Sequence, residues 1–490
     1  MSTGPASADA AGGNGADGNG GTGNGNVGNG NVDNGTGGNA NSGGHRYRAI
    51  LKMSAPIFVA QVAVLANGVA DTVITGHYKA DHLAAIGLGS AIWASVFIPL
   101  MGVTQGLSPI IGRHFGAGET RAIGREVRAG VWLACALALP VLLLFGFPDP
   151  VLELAQIPET IRPLTRLYLQ ALAYGVPALM LARVFYAFAP AVNHPRAVMG
   201  INLVALTAKV PLSYALVHGR WGMPELGGPG CGVASAIIYW LILILAVASL
   251  RYTTQYRRYE VWSGSWRFDP TTLGGILRLG VPIGASIFIE VTAFVSMALF
   301  LARLGPTVSG AQQVISNFAA LLFMLPLSLG IGTQVLISQA LGANRPHQAR
   351  RTALDGMKMT SVFATVVCAL LWIFRNEIVG FYTSDPGVVA LCLSLMPTLV
   401  IFHWFDAAQC SATQALRGYR QTVIPMVISA LAMWGIGLGL GYVLAFAIWP
   451  SIWPTAYGAK GFWWAQTLSL GVVAIALHWE FRRISRVARN

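Results

Sequence analysis

Apolar stretches of about 20 residues recur from Ile50 to the end of the chain, and each is long enough to cross a hydrocarbon core about 30 Å thick. Such a core offers backbone amides and carbonyls no water, so a spanning segment of this length must satisfy them internally, as a helix. Twelve spans follow, over 49–76, 83–112, 129–147, 163–189, 197–219, 231–250, 277–303, 310–340, 357–375, 388–415, 423–448 and 459–480. Of the 490 residues 54% are hydrophobic and 10% charged, whereas soluble domains carry about a quarter charged residues. A water-soluble fold is excluded.

The net charge of +13 invites a nucleic-acid reading, but the 32 Lys and Arg residues sort by loop. With the N-terminus placed in the cytoplasm, 23 lie on the inner side, among them Arg46, Arg48, Arg113, Arg121, Arg125, Arg128, Arg257, Arg258, Arg350, Arg351, Arg482 and Arg483. Seven lie outside: Lys79, Arg162, Arg166, Arg220, Arg303, Arg375 and Lys460. Arg183 and Lys209 fall inside the membrane. This is the positive-inside distribution. The basic balance therefore reports topology and contact with anionic lipid, with no nucleic-acid partner. Both termini are expected in the cytoplasm, in a bacterial inner (plasma) membrane.

Residues 1–45 are rich in Gly and Asn and lack an apolar run, which predicts a disordered cytoplasmic tail and no secretory signal. Cys135, Cys231, Cys368, Cys392 and Cys410 sit singly in the spans, a pattern without disulfides or a metal cluster.

The chain also resembles itself at an offset of about 226 to 229 residues. Lys52-Met-Ser-Ala-Pro56 matches Arg278-Leu-Gly-Val-Pro282, and Pro99 with Gly116-Ala117 matches Pro326 with Gly342-Ala343. Met199 matches Met426, and Gly228-Pro-Gly-Cys-Gly232 matches Gly458-Ala-Lys-Gly461. Each half carries six helices. Six is even, so both halves enter from the same side and the repeats are parallel. The expected fold is an all-α integral membrane protein with twelve transmembrane helices in two pseudo-symmetric six-helix lobes, 46–250 and 277–482. A cytoplasmic linker over 251–276 joins them, and a basic C-terminus covers 483–490.

Three of the 19 acidic residues, Asp71, Glu290 and Asp406, fall within apolar spans, where a central Asp costs about 2.5 to 3.5 kcal/mol on insertion scales. Counting about 1.5 Å per residue puts Glu290 roughly 18 Å from the inner surface at Arg278 and Asp406 roughly 16 Å from Arg417. Two carboxylates at one depth form a site for sodium or a proton, since like charges in low dielectric raise one pKa or recruit an ion. Asp71 lies nearer the outside, roughly 12 Å below Lys79, and Lys209 lies roughly 20 Å deep in the fifth span. Asp71 is the one intramembrane carboxylate of that lobe, so the pair Asp71–Lys209 is expected. Arg183 sits near the cytoplasmic end of the fourth span and is expected to reach the headgroups. Phe294, four residues after Glu290 on the same helical face, can offer its ring to a cation. His403, three before Asp406, reads as a packing histidine, with a proton relay as the alternative.

These residues sit in recognisable segments: Gly68-Val-Ala-Asp71-Thr-Val-Ile-Thr-Gly76, Gly222-Met-Pro-Glu-Leu-Gly-Gly-Pro-Gly-Cys-Gly-Val-Ala234, Phe288-Ile-Glu290-Val-Thr-Ala-Phe294, Phe405-Asp406-Ala-Ala-Gln409 and Leu416-Arg417-Gly418-Tyr419. Together they resemble the NorM-type branch of the multidrug and toxic compound extrusion (MATE) family, from about residue 48 to 482. The resemblance implies a central cavity open to one side at a time and efflux of organic cations in exchange for sodium or protons. It implies cation coupling at Glu290 and Asp406, with Phe294 and Gln313 nearby, and a coupling or drug-response role for Asp71. Related members commonly carry asparagines where this chain has Lys209 and Ser213. A second cation beside a neutralised Asp71 would meet repulsion, leaving coupling mainly to Glu290 and Asp406.

The expected function is thus antiport by alternating access, with no cofactor beyond the coupling ion, organic cations as substrates and a working monomer. The alternative is a flippase for lipid-linked precursors, which would line its cavity with basic groups. No loop is large enough for a catalytic domain, and neither a G-x-x-x-x-G-K-[ST] nor an H-E-x-x-H motif occurs, so an enzyme or ATP-driven pump is disfavoured.

Overall fold

The computed structural model describes residues 43–383, 385–447 and 455–487. Residues 1–42 of the expected tail, and 488–490 of the expected basic C-terminus, lie outside them. Among the described residues twelve helices are long and apolar enough to cross a membrane: α1 Gly43–Gly76, α2 Ala80–Ala117, α3 Thr120–Gly146, α4 Arg162–Ala191, α5 Pro195–His218, α6 Pro229–Tyr252, α7 Pro270–Ala302, α8 Pro306–Gly342, α9 Pro346–Ile373, α10 Pro386–Gly418, α11 Val423–Phe446 and α12 Gly458–Arg486.

The twelve expected spans are present, and the helices overrun them where polar residues remain good helix formers. Gly43, Gly44 and His45 already belong to α1, so the expected tail gives up its last three residues. Several boundaries are set by proline at the first helical turn, where the missing amide hydrogen costs nothing: Pro195, Pro229, Pro270, Pro306, Pro346 and Pro386. Asp269 and Asp385 cap α7 and α10 by accepting from the amides two and three residues on. The segment between the lobes therefore ends at Asp269, seven residues short of the expected limit, and the rest of 251–276 is claimed by α6 and α7.

Two helices are irregular inside their spans. α2 is interrupted at Gly106, between helical segments Ala80–Gln105 and Leu107–Ala117. α11 is π-helical over Leu431–Leu440, an arrangement that shifts side-chain register and is frequent at functional sites. Both sit against other helices, which tolerates irregular backbone at membrane depth.

Helices α1–α6 and the segment after α6 build one apolar cluster, running from Ala60 through Phe145 and Phe188 to Tyr259. In the second lobe Met297, Leu395, Leu399, Phe402, Phe462 and Trp463 build another, from that lobe's residues alone. Apolar contact between the lobes gathers at the side where α1 begins and α12 ends, called here the termini side. There Ile276 and Leu279 join the first lobe's cluster, Ile50 packs with Leu329 and Met359, and Met53 and Ile57 pack with Val335. Arg46 Nε lies 2.5 Å from Asp355 Oδ2, tying α1 to α9. Gln339 donates to the Ala191 carbonyl and to Asn193 Oδ1, both at 2.9 Å.

This seam is made of glycine, and it obeys the internal repeat. A methyl group at Gly116 would collide with the Gln339 carbonyl, and one at Gly342 with the Arg113 carbonyl. Gly116 and Gly342, and Arg113 and Gln339, are the same positions of the two halves. Likewise a methyl at Gly106 would lie 2.7 Å from the Gly280 nitrogen, and its counterpart at Gly332 would collide with Ser54 Oγ. Reciprocal contacts of this kind are what a two-fold relation between parallel repeats produces. Helices in lipid associate by close van der Waals approach, which small residues permit.

Gly116→Leu should hold the lobes apart on this side. In a chain otherwise free of cysteine, Ser338→Cys, at a position 1% exposed, should then react with an impermeant maleimide applied from the termini side. Protection equal to that in the parent chain would show that the seam does not depend on glycine.

Candidate functional site

In the second lobe α7 and α10 run antiparallel, and they meet through aromatic rings. Phe294 and Phe402 stand edge to face with centroids 6.1 Å apart, and Phe402 in turn meets Trp463 at 5.2 Å. One turn toward the termini side from this contact are Glu290, four residues before Phe294, and Asp406, four residues after Phe402. On antiparallel helices these two steps go the same way, so the carboxylates come to one level on facing helices.

Their surroundings differ. Asp406 is 5% exposed, and Gln409 Nε2 donates to its Oδ1 at 3.2 Å. Glu290 is half-buried, and among the described residues no protein hydrogen bond or ion pair reaches its carboxylate. The backbone beside it is held by Trp434, whose indole donates to the Ile289 carbonyl at 3.3 Å. An intramembrane carboxylate without a protein partner is a strong pointer to an exchangeable ion.

His403 is buried, with Nε2 unpartnered. Gln313 is exposed and donates to Asn317 Oδ1 at 3.2 Å. The buried amide is its neighbour Gln312, which accepts from the Trp463 indole at 2.8 Å and so props the aromatic wall from behind. Arg183 lies over the Tyr186 ring at 5.3 Å, its Nε buried and unpartnered.

Sequence reasoning missed Arg417. Taken there as a marker of the inner surface, it is 8% exposed and donates to Gln414 Oε1 at 3.3 Å. The available signal was its place on α10: 406, 410, 414 and 417 share one face at helical spacing, and Asp406, Cys410, Gln414 and Arg417 are all buried.

The first lobe holds the other acidic position. Lys209 Nζ lies 2.8 Å from Asp71 Oδ2, with side chains 5% and 9% exposed. The ammonium also donates to Ser235 Oγ at 2.6 Å, and Ser213 Oγ donates to the second carboxylate oxygen at 3.2 Å. Ser235 passes its own hydrogen to the Cys231 carbonyl at 2.8 Å. Asp71 is thus neutralised and hydrogen-bonded on both oxygens, where Glu290 has neither.

The MatE family model matches residues 56–215 and 282–443, one copy in each lobe and together well over half of the chain. This chain belongs to the MatE family. The two matches start 226 residues apart, at 56 and 282, which is the offset of the internal repeat. Among MatE relatives, the probable multidrug resistance protein NorM of Aromatoleum aromaticum is 41% identical over 439 residues, covering 89% of this chain and 94% of that protein. Multidrug resistance protein NorM of Vibrio cholerae is 32% identical, covering 88% and 95%. The crystal structure of the eukaryotic MATE transporter AtDTX14 superposes with a TM-score of 0.82 at 20% identity, covering 91% and 99%, a likeness of fold.

Removing one partner of a buried ion pair costs about 3–5 kcal/mol, because the other charge is left uncompensated. Lys209→Met should lower the thermal unfolding midpoint of the purified MatE protein more than Asp71→Asn/Lys209→Met does. If the double variant is the less stable, the pair is not what holds these side chains.

Proposed function

We propose that the chain is a secondary antiporter that exports drugs and other organic cations in exchange for sodium or protons by alternating access. The observation that carries this is the placement of Glu290 and Asp406 at one depth of the second lobe, with no protein hydrogen bond or ion pair reaching Glu290 among the described residues. The relatives support the cargo, being named multidrug resistance proteins. The charges facing the interior of the second lobe are mainly acidic, which suits a cationic cargo and disfavours the flippase reading, whose phosphates would want basic groups. A transporter of this family is not an enzyme.

The seam closed at the termini side is read as the outward-facing state, since the excess of basic residues on that side favours a cytoplasmic location for it. From it, a sodium ion or proton enters at Glu290 and Asp406 and competes with the organic cation for the same negative charge. Release of the cargo outward and closure around the coupling ion then return the site to the inside. Phe294 and Phe402 supply ring faces and edges beside the carboxylates, where an organic cation can be held while it is desolvated. One cation entering through about 150 mV supplies about 3.5 kcal/mol, equivalent to a gradient of a few hundredfold for a neutral cargo.

Asp71 is held by Lys209 and takes a structural role in this scheme. The location is the inner membrane of a bacterium with both termini cytoplasmic, lipid contact is made by the basic loops, and the two-lobed monomer is the working unit.

In energised inverted vesicles, Glu290→Gln and Asp406→Asn should each abolish ethidium efflux driven by whichever of a sodium or proton gradient drives the parent protein. Undiminished efflux in either variant would sink the assignment and turn attention to Asp71 and Lys209.

A further inference from the structure

The internal repeat sets two equivalent helix faces at the termini side, and the chain covers one of them with its own backbone. In the first lobe Arg128 and Trp132 on α3 are met by the segment between the lobes. Arg128 donates to the Glu260 carbonyl at 2.8 Å, and the Trp132 indole donates to the Trp266 carbonyl at 3.2 Å. Phe268 stands edge to face on Trp132 at 6.1 Å. The segment passes so closely that a methyl group at Gly264 would collide with the Arg128 guanidinium.

The repeat offset of 226 carries Arg128 to Leu354 and Trp132 to Lys358, both on α9. There the face is open, as a groove of about 580 Å³ between α1, α9 and α12. Tyr47, Met357, Val362 and Phe481 give it an apolar lining, Lys358, His478 and Arg482 stand along it, and no acidic residue is among those that line it. Lys358 and Arg482 are exposed, and among the described residues neither side chain has a hydrogen bond or ion pair. His478 donates from Nδ1 to the Ala474 carbonyl at 2.8 Å, which leaves Nε2 free among the described residues.

Depth decides what can fill the groove. Lys358 is the second residue of the apolar span 357–375, and Arg482 lies two residues beyond the span 459–480, so both stand at the level of the headgroups. Val362, one turn further into α9, lies at the level of the acyl chains. Residues 1–42 hold no Leu, Ile or aromatic side chain, so the tail has little with which to cover apolar lining. Basic pockets between membrane helices on the cytoplasmic side suit anionic headgroups.

We propose that this groove binds one anionic phospholipid of the inner leaflet, its headgroup between Lys358 and Arg482 and its chains along Met357 and Val362. The site takes the place that the segment between the lobes fills in the first half. It rests on the termini side being the inner face of the membrane, and is independent of the roles of Glu290 and Asp406.

The test titrates phosphatidylglycerol into the purified full chain, held in detergent micelles with phosphatidylcholine, and reads the first bound phosphatidylglycerol by native mass spectrometry. Each Lys or Arg at the surface strengthens such binding about fivefold, so Lys358→Gln/Arg482→Gln should bind about 25-fold more weakly than the parent. Lys358→Arg/Arg482→Lys should match the parent. So should Arg251→Gln/Arg257→Gln, which removes the same charge from exposed positions after the first lobe's last helix. Equal weakening in both charge-removing pairs, or no preference of the parent for phosphatidylglycerol over phosphatidylcholine, overturns the proposal. Displacement of the lipid by an equal concentration of glycerophosphoglycerol would make this a site for soluble phosphate esters, and binding that appears only after deletion of residues 1–42 would make the tail its occupant; either result overturns the lipid assignment.

Discussion

A carboxylate cannot stay charged and alone in a closed, water-free interior, and this constraint organises both lobes. The first lobe answers it internally. Lys209 holds an ammonium 2.8 Å from Asp71, with Ser213 and Ser235 filling the remaining hydrogen-bonding positions, so nothing from outside is needed. Among the described residues the second lobe leaves Glu290 without a protein hydrogen bond or ion pair and gives Asp406 one amide. In the proposed function its answer arrives from solvent and leaves again, which is the property that a coupled transporter requires. One fold thus carries the same problem twice with two solutions, and under the proposed function the first lobe's pair is structural and the second lobe's carboxylates exchange an ion.

Exchange also requires that the lobes move against each other, and the glycine seam provides for it. Gly106, Gly116, Gly280 and Gly342 let backbones approach so closely that a methyl group would not fit. Such contact is made by van der Waals approach over a limited patch, with few specific bonds: Arg46 to Asp355 and Gln339 to Ala191 and Asn193. A seam held in this way can close tightly and still part, because separating it strands few buried polar groups. The aromatic stack of Phe294, Phe402 and Trp463 lies within the second lobe, so it can travel with that lobe as a rigid wall.

Much of the fold was legible in the sequence. Twelve helices, the absence of a soluble fold and the duplication follow from apolar length and from an offset of about 226 residues, because the hydrocarbon core fixes segment length irrespective of packing. The three intramembrane carboxylates and Lys209 were legible for the same reason: a charge in an apolar run stands out before any neighbour is known. What escaped were questions of helical phase and reach. Gln312 and Gln313 are adjacent, yet about 100° of rotation separates the buried partner of Trp463 from an exposed amide paired with Asn317. The limits of the segment between the lobes were misplaced because Asp269 and Pro270 start α7 well before its apolar run begins.

The sequence by itself determined the solvent this protein lives in, the number of its crossings, its two-fold plan and the places where charge is buried, since each depends on composition along one helix. Only the tertiary structure decided which charges meet. That Asp71 is satisfied and Glu290 is not, that Arg417 is buried and not a surface marker, and that Gly116 faces the backbone of the other lobe all depend on distances between helices far apart in the chain. Those distances are set by packing around the whole circumference of each helix, and no local pattern contains them.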